Sequence, residues 1–542
     1  MLPRTLPQVI QGSIRHVEAC LWRAIQPIAR LTVFSTDNCI NSPLGLSLSL
    51  RERRHWQARP LSQWREPIVG CARSTGPSLS TRWTRCTFNL HNKRVRPAPR
   101  RFWLGQVGGS MKQNSCLLIL FLCVWANPSW AATYYVATTG NNANPGTLAS
   151  PWQTVGKAAS TAIAGDTVYI RAGEYREYVS FNNSGNPNNR ITFQNYPNET
   201  PIIDGRNLTP SSSPWTQPEI LKVNGSWLVF RGLEIAHCAA TCVGTYGTDN
   251  TYDQLHVHDG GGVGIWFFLT FRGTVSNSRV HDIYDSYQGG ESADCIAVSG
   301  AVSNASDYGY HTFDGNELYN CSDDGLDMWS SSHNTVKNNR VHHTGLRSDG
   351  YGASGHKNPF VSFWGFSPNT TNGDGNGFKI GSEVYGGSGN GTTLTNNIVW
   401  NVMANGYDTD GGTGEVIYNN TGWQNGDCNF AQYTLTNTFR NNLSYQALNC
   451  GGGGIGGANM SPPYVADHNS WQLSNPNTNP NFISTDPTNA NFLKLNAGSP
   501  MIDIGVNVGL PFNGSAPDLG AYEYVGSGDS MPPLPPVGLK VF

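Results

Sequence analysis

Leu394-Thr-Asn-Asn397-Ile-Val399, Val416-Ile-Tyr-Asn-Asn420-Thr421 and Phe439-Arg-Asn-Asn442-Leu443 are three copies of one pattern. Each is an apolar, strand-forming segment, then an asparagine pair, then a second strand-forming segment. Counted on the second Asn, the copies lie 23 and 22 residues apart. The pattern recurs upstream as Val275-Ser-Asn277-Ser-Arg-Val280, Phe313-Asp-Gly-Asn316-Glu-Leu318 and Val336-Lys-Asn-Asn339-Arg-Val341, and downstream as His468-Asn469-Ser-Trp471. Asn316 and Asn339 are again 23 apart, while steps of 39, 58 and 27 elsewhere mark inserted loops. A period of 22–23 residues is one turn of a parallel β-helix, whose strands hydrogen-bond to the turns above and below, about 4.8 Å away. Asn suits the corners, because it tolerates the left-handed conformation and its amide can bond to the Asn of the next turn. The expected fold class is all-β, a parallel β-helix of about ten coils forming a rod of roughly 50 Å.

The composition agrees. Gly (62) and Pro (32) are frequent and charged residues make up only 13% of the chain, which suits short strands joined by turns. Thr133-Tyr-Tyr-Val136 and Thr167-Val-Tyr-Ile-Arg-Ala172 read as strands, and between them Trp152–Ala164 reads as a short helix that caps the open N-terminal end of the core. The rod is expected to end near Gly498–Asp503 and Ala516–Tyr524. The Pro-rich stretch 526–542 reads as a linker.

The formal net charge of −2 hides two unlike pieces. Residues 1–110 hold 17 basic and four acidic residues, a net +13, so the rest of the chain carries −15. An acidic body has no general attraction to nucleic acid. Residues 111–131 read as a secretory leader: Lys112, the apolar run Leu117–Ala126, and the small-x-small site Ser129-Trp-Ala131. The run is too short to span a bilayer. A leader belongs at the start of a protein, so residues 1–110 read as an upstream stretch translated from a start codon placed too early. The expected layout is therefore extension 1–110, leader 111–131, β-helix catalytic domain 132–525 and tail 526–542, in a secreted monomer. Six of the 12 cysteines remain after the leader, at 238, 242, 295, 321, 428 and 450. Disulfides are permitted in such a chain. Cys428 and Cys450 each follow an Asn pair by eight residues, so they should stack on adjacent coils within disulfide reach.

One cluster carries the chemistry. Ser322-Asp323-Asp324-Gly325-Leu326-Asp327 packs three carboxylates into five residues, and Asp294 lies about one coil earlier. Four stacked carboxylates repel one another, and a hard divalent cation such as Ca²⁺ removes that cost. Neighbours on a straight strand point to opposite faces, so Asp323 and Asp324 can converge only at a bend, where Gly325 supplies flexibility. A second feature is Gly373-Asp-Gly-Asn-Gly-Phe-Lys-Ile-Gly381, which sets the lone Lys379 on a strand bounded by glycines.

Asp294 in Ala-Asp-Cys-Ile-Ala, the Ser-Asp-Asp-Gly-Leu-Asp run and Gly-Asn-Gly-Phe-Lys379 resemble the signature of the family-nine polysaccharide lyases, which include pectate lyases. The resemblance covers roughly residues 133–525. It implies a right-handed parallel β-helix and a catalytic Ca²⁺ on Asp294, Asp323, Asp324 and Asp327, with Lys379 as Brønsted base. The implied substrate is an acidic polysaccharide, pectate or polygalacturonate, cleaved by β-elimination. Cys295 departs from the family pattern, where a small residue such as glycine is expected. Arg347 and Lys357 are candidate substrate binders, Trp364 and Phe366 candidate stacking residues, and Arg340 either a groove or a surface residue. Two other readings share the fold. An inverting glycosidase would use Asp323 and Asp324 as acid and base, but the polygalacturonase-like Asn-Thr-Asp, Gly-His-Gly and Arg-Ile-Lys motifs are missing. A non-catalytic carbohydrate-binding adhesin would keep the Asn column and not need Lys379.

Overall fold

The computed structural model describes residues 131–206, 219–285, 290–299, 308–329, 331–345, 373–381, 391–433, 436–451 and 454–526. The stretch expected to be extension and leader, up to residue 130, the Pro-rich tail after Gly526, and Arg347, Lys357, Trp364 and Phe366 lie outside the described residues.

The chain winds through three parallel sheets. Among the described residues, sheet one has 12 strands, from Thr133–Val136 to Val465–Asp467. Sheet two has ten, from Val179–Phe181 to Ala458–Met460, and sheet three has ten, from Gly173–Tyr175 to Leu443–Tyr445. One coil visits them as Thr274–Ser276, Arg279–Ile283 and Ile296–Ser299 before returning to sheet one at Thr312–Asp314. The strands are short, three to five residues for the most part, and alternate inward and outward. In sheet one, Val168, Phe193, Phe230, Tyr252, Val275, Phe313, Val336, Leu394, Ile417 and Phe439 occupy one register position on successive coils, and all are buried. This column and its counterparts fill the rod with stacked apolar side chains, and burying them is the main drive to fold.

The asparagine pair divides its two duties. The first members, Asn338, Asn396, Asn419 and Asn441, take the left-handed conformation, with φ between 53° and 58°. The second members turn inward and form a ladder: Nδ2 of Asn316, Asn339, Asn397, Asn420 and Asn442 donates to Oδ1 of the next Asn, ending on Asn469, at 2.8–3.2 Å. Asn277 is not part of that ladder. It is the left-handed corner residue (φ 49°), and Ser278 holds the ladder position, its N–H donating to Asn316 Oδ1.

The N-terminal helix spans Val155–Thr161, shorter than Trp152–Ala164. Thr154 caps it, its Oγ accepting from Lys157 N, and Val155, Ala158 and Ala159 seal the core end. The rod ends where the last copy of the repeat lies, at the single-turn 3₁₀ helix Ser470–Gln472, and not near Gly498–Asp503 or Ala516–Tyr524. The segment after it turns back along the outside of sheet three. Phe492 packs on Trp400 and Trp423, and Ala521 N donates to Thr421 Oγ1 at 2.9 Å. Arg340 lies on sheet three, its guanidinium over the Trp400 and Phe492 rings, and so takes no part in the face that carries the acidic cluster.

Among the described residues there are three disulfides, two of which clip neighbouring coils. Cys428–Cys450 joins adjacent turns with Cα atoms 4.4 Å apart, as the equal spacing from the Asn pairs implies. Cys295–Cys321 spans the corner beside Asp294 and Asp323, and Cys238–Cys242 closes a tight loop.

Candidate active site

The acidic cluster forms at the corner between sheet three and sheet two, and on the outer face of sheet two. Asp323 and Asp324 sit in the bend between strands Glu317–Cys321 and Leu326–Met328, and Asp294 sits in the matching bend one coil earlier. Asp327 follows on the strand, facing out. Register places Ala297, Asp327, Lys379 and Asp408 directly over one another on four successive coils. The stacking thus sets Asp327 and Lys379, 52 positions apart in the sequence, on neighbouring rungs. Gly325 is required for space and not for flexibility: a Cβ there would meet Val341 Cγ1 at 2.3 Å and the Gly377 carbonyl at 2.6 Å.

Asp294, Asp324 and Asp327 each offer an oxygen within 4.8 Å of the others, and Asp323, Asp324 and Asp374 do the same. Backbone amides hold part of the cluster. Asp323 Oδ1 accepts from Asp374 N and Asp324 Oδ1 from Asn376 N, both at 2.6 Å, and Asp294 Oδ1 accepts from Asp324 N at 3.1 Å. These bonds aim the remaining oxygens inward. Asp324 Oδ2 and Asp327 Oδ1 are buried with no hydrogen-bond partner among the described residues. Burial first, then mutual repulsion, pushes the Asp294 and Asp323 carboxyls well above the usual range. Burial raises Asp324 and Asp327 too, against the pull of Lys379, Asp327 to about 6. Orphaned oxygens in such a crowd have the chemistry of a hard-cation site.

Lys379 Nζ donates to Asp374 Oδ2 at 2.6 Å and lies 3.7 Å from Asp324 Oδ2. Burial works to lower its pKa, but Asp327, Asp324 and Asp374 together outweigh burial and the net shift is upward. Asp374 was not singled out by the sequence reading, although it stands in the quoted glycine-rich stretch five residues before Lys379. Asp408, the next rung, is held by Asn405, Tyr433 and its own loop. On the other side of Ala297 the same outward column carries Trp266, Gly244 and Lys222, an aromatic and basic strip that no sequence signal marked.

The Pel9A-like right-handed β-helix region matches residues 134–442. The chain is 27% identical to pectate lyase L of Paenibacillus polymyxa over 432 residues, covering 70% of this chain and 85% of that one. It is 27% identical to pectate lyase PEL9 of Emericella nidulans over 385 residues, covering 66% and 87%. The crystal structure of pectate lyase Pel9A superposes with a TM-score of 0.59 at 23% identity, covering 73% of this chain and 97% of that one, a likeness of fold. Among the described residues, no helix is long and apolar enough to cross a membrane.

Proposed function

The chain belongs to the Pel9A-like right-handed β-helix family and is a polysaccharide lyase, and from that premise we propose that it cleaves a uronate polysaccharide, polygalacturonate first, by calcium-assisted β-elimination with Lys379 as the base. The observation that carries this reading is the pair of orphaned buried oxygens on Asp324 and Asp327, one rung from a lysine. Asp294, Asp323, Asp324 and Asp327 would hold Ca²⁺, since the donors are all oxygen and their charge has no other counterion of sufficient valence. Bound there, Ca²⁺ would neutralise the substrate carboxylate and the charge that develops at C5 as its proton leaves.

The protein's own groups supply the rest. Asp374 accepts from Lys379 and fixes where its Nζ points. Lys379 is protonated while the aspartate charges are uncompensated. With a cation on Asp324 and Asp327, two of the three charges that hold the proton on Lys379 are removed, leaving Asp374 opposed by burial, which favours the neutral amine. The neutral Nζ takes the C5 proton, the C–H pair forms the 4,5 double bond, and the C4–O bond breaks with its electron pair on the leaving oxygen, which takes a proton from water. An inverting glycosidase fits less well: its carboxylates stand about 6.5–9.5 Å apart to admit water, whereas these offer oxygens within 4.8 Å.

We extend the proposal to secretion after cleavage near Ala131, with residues 132–525 as a monomeric catalytic domain. Three disulfides support an oxidising destination. The test is ultraviolet absorbance of the unsaturated product over a panel of uronans. Polygalacturonate cleavage is expected to stop after chelation, to return with Ca²⁺, and to be lost in Lys379→Ala with an unchanged far-UV spectrum. Full turnover in chelator, or in the variant, would overturn the mechanism.

A further inference from the structure

The outer face of sheet three carries a second cluster, away from sheet two and ahead of the part that the C-terminal segment covers. Glu234, His256 and Arg279 share one register column, and Ala236, His258 and His281 the column beside it. Glu234, His256, His258 and His281 therefore project outward from three successive coils, while Ile235, Val257 and Val280 between them point into the core.

The carboxylates behind these rings fix which nitrogens carry protons. Asp259 and Asp282 each follow a histidine and take the left-handed conformation, φ 55° in both. That turns each carboxylate back onto the ring before it: His258 Nδ1 lies 2.8 Å from Asp259 Oδ2, and His281 Nδ1 lies 2.7 Å from Asp282 Oδ2. With carboxylates at both nitrogens, His258 donates from Nδ1 to Asp259 and from Nε2 to Glu234, so a cation would take the place of its Nε2 proton, while His281 donates from Nδ1 and keeps its Nε2 lone pair. His281 Nε2 is 2.8 Å from His256 Nε2, so His256 donates there and its own lone pair falls on Nδ1. His256 Nδ1 lies 3.9 Å from Glu234 Oε2, and His258 Nε2 lies 3.3 Å from Glu234 Oε1.

We propose that Glu234, His256 and His258 form a second metal site, of the two-histidine, one-carboxylate type, for a borderline divalent cation such as Zn²⁺. Three ligand atoms gather within 4.8 Å of one another. Ligands about 2.0–2.1 Å from a tetrahedral centre lie about 3.3 Å apart, so the Glu234–His258 pair stands at that edge length, and His256, 3.9 Å from the other Glu234 oxygen, would close in on binding. Asp259 behind His258, and the His281–Asp282 pair behind His256, are the outer partners that metal-binding imidazoles use to fix their tautomers. Nitrogen donors separate this site from the all-oxygen cluster on sheet two. The His256 side chain is 39% exposed, so the fourth position opens to solvent, and the cation ties two adjacent coils together.

Co²⁺ is the probe, titrated into the full chain with Ca²⁺ in excess so that the oxygen cluster is filled. One equivalent is expected to give the visible ligand-field band of nitrogen-ligated cobalt, and Zn²⁺ is expected to displace it. The band should be lost in His258→Ala and in His256→Gln, with metal-free far-UV spectra unchanged; His256→Gln, which keeps a polar side chain at the 39% exposed position, is the milder change. Absence of the band in the wild-type chain, or an undiminished band in His256→Gln, would overturn the site and leave these side chains as a hydrogen-bonded surface network.

Discussion

Replacing Asp327 by Asn is expected to make the metal-free protein more stable. Burial, helped by Asp374 and opposed by Lys379, pushes the Asp327 carboxyl up to about 6, against 3.8 for the group in an unfolded chain. Below 3.8 both states hold the proton and the position costs nothing. As pH rises from 3.8 to about 6 the unfolded state ionises first, so the folded state loses stability, and above about 6 the loss is constant. That interval corresponds to about 3 kcal/mol at 1.36 kcal/mol per pH unit. Although its Oδ1 is buried, the Asp327 side chain as a whole is only half-buried, so about 1–2 kcal/mol is the expected gain for the variant. Urea unfolding at about pH 7.5 in chelator measures it, with a repeat at about pH 4, where the gain should vanish. Excess Ca²⁺ should reverse the order, because the wild type binds the ion more tightly and is stabilised by mass action. If Asp327→Asn were less stable than wild type in chelator at about pH 7.5, or if Ca²⁺ stabilised both alike, the placement of Asp327 in a cation site would be wrong.

Cys428→Ser with Cys450→Ser removes a bridge closing a 22-residue loop, with an expected loss of about 3 kcal/mol in thermal or urea unfolding. An unchanged midpoint would count against the clip. Burial depresses the His311 ring to about 3 from its usual 6.5, so stability is complete above 6.5 and falls as pH drops toward 3, by at most about 5 kcal/mol. His311→Asn, which keeps an acceptor for Gly273 N, should flatten that acid limb of the stability profile. N-terminal sequencing of the secreted protein should find a start near Ala132, whose nitrogen lies 2.8 Å from Asp166 Oδ1 and would pair with it as an ammonium. Residues 1–110 attached to that protein would show the extension to be real.

The repeat was legible because each coil must bury the same face and turn the same corner, so Asn and apolar residues return at the period of the coil. The spacing of Asn339, Asn397, Asn420 and Asn442 therefore carried the fold class, and the equal offsets of Cys428 and Cys450 carried their pairing. The Ser-Asp-Asp-Gly-Leu-Asp327 run was legible for a related reason: carboxylates crowded into a charge-poor chain have to be compensated. What the sequence left open depends on register and on surfaces that do not repeat. Asn277 looked like a ladder residue until the coil register gave that place to Ser278. Asp374 became a partner of Lys379 only because the strand after the long insertion returns to the Asp327 column. The cover over Trp400 and Trp423 comes from a segment about 70–90 residues later that has no repeat of its own. Periodicity fixes what recurs along the rod. Which distant side chains meet on its outer faces is set by how many residues each loop inserts between coils, and that only the folded stack decided.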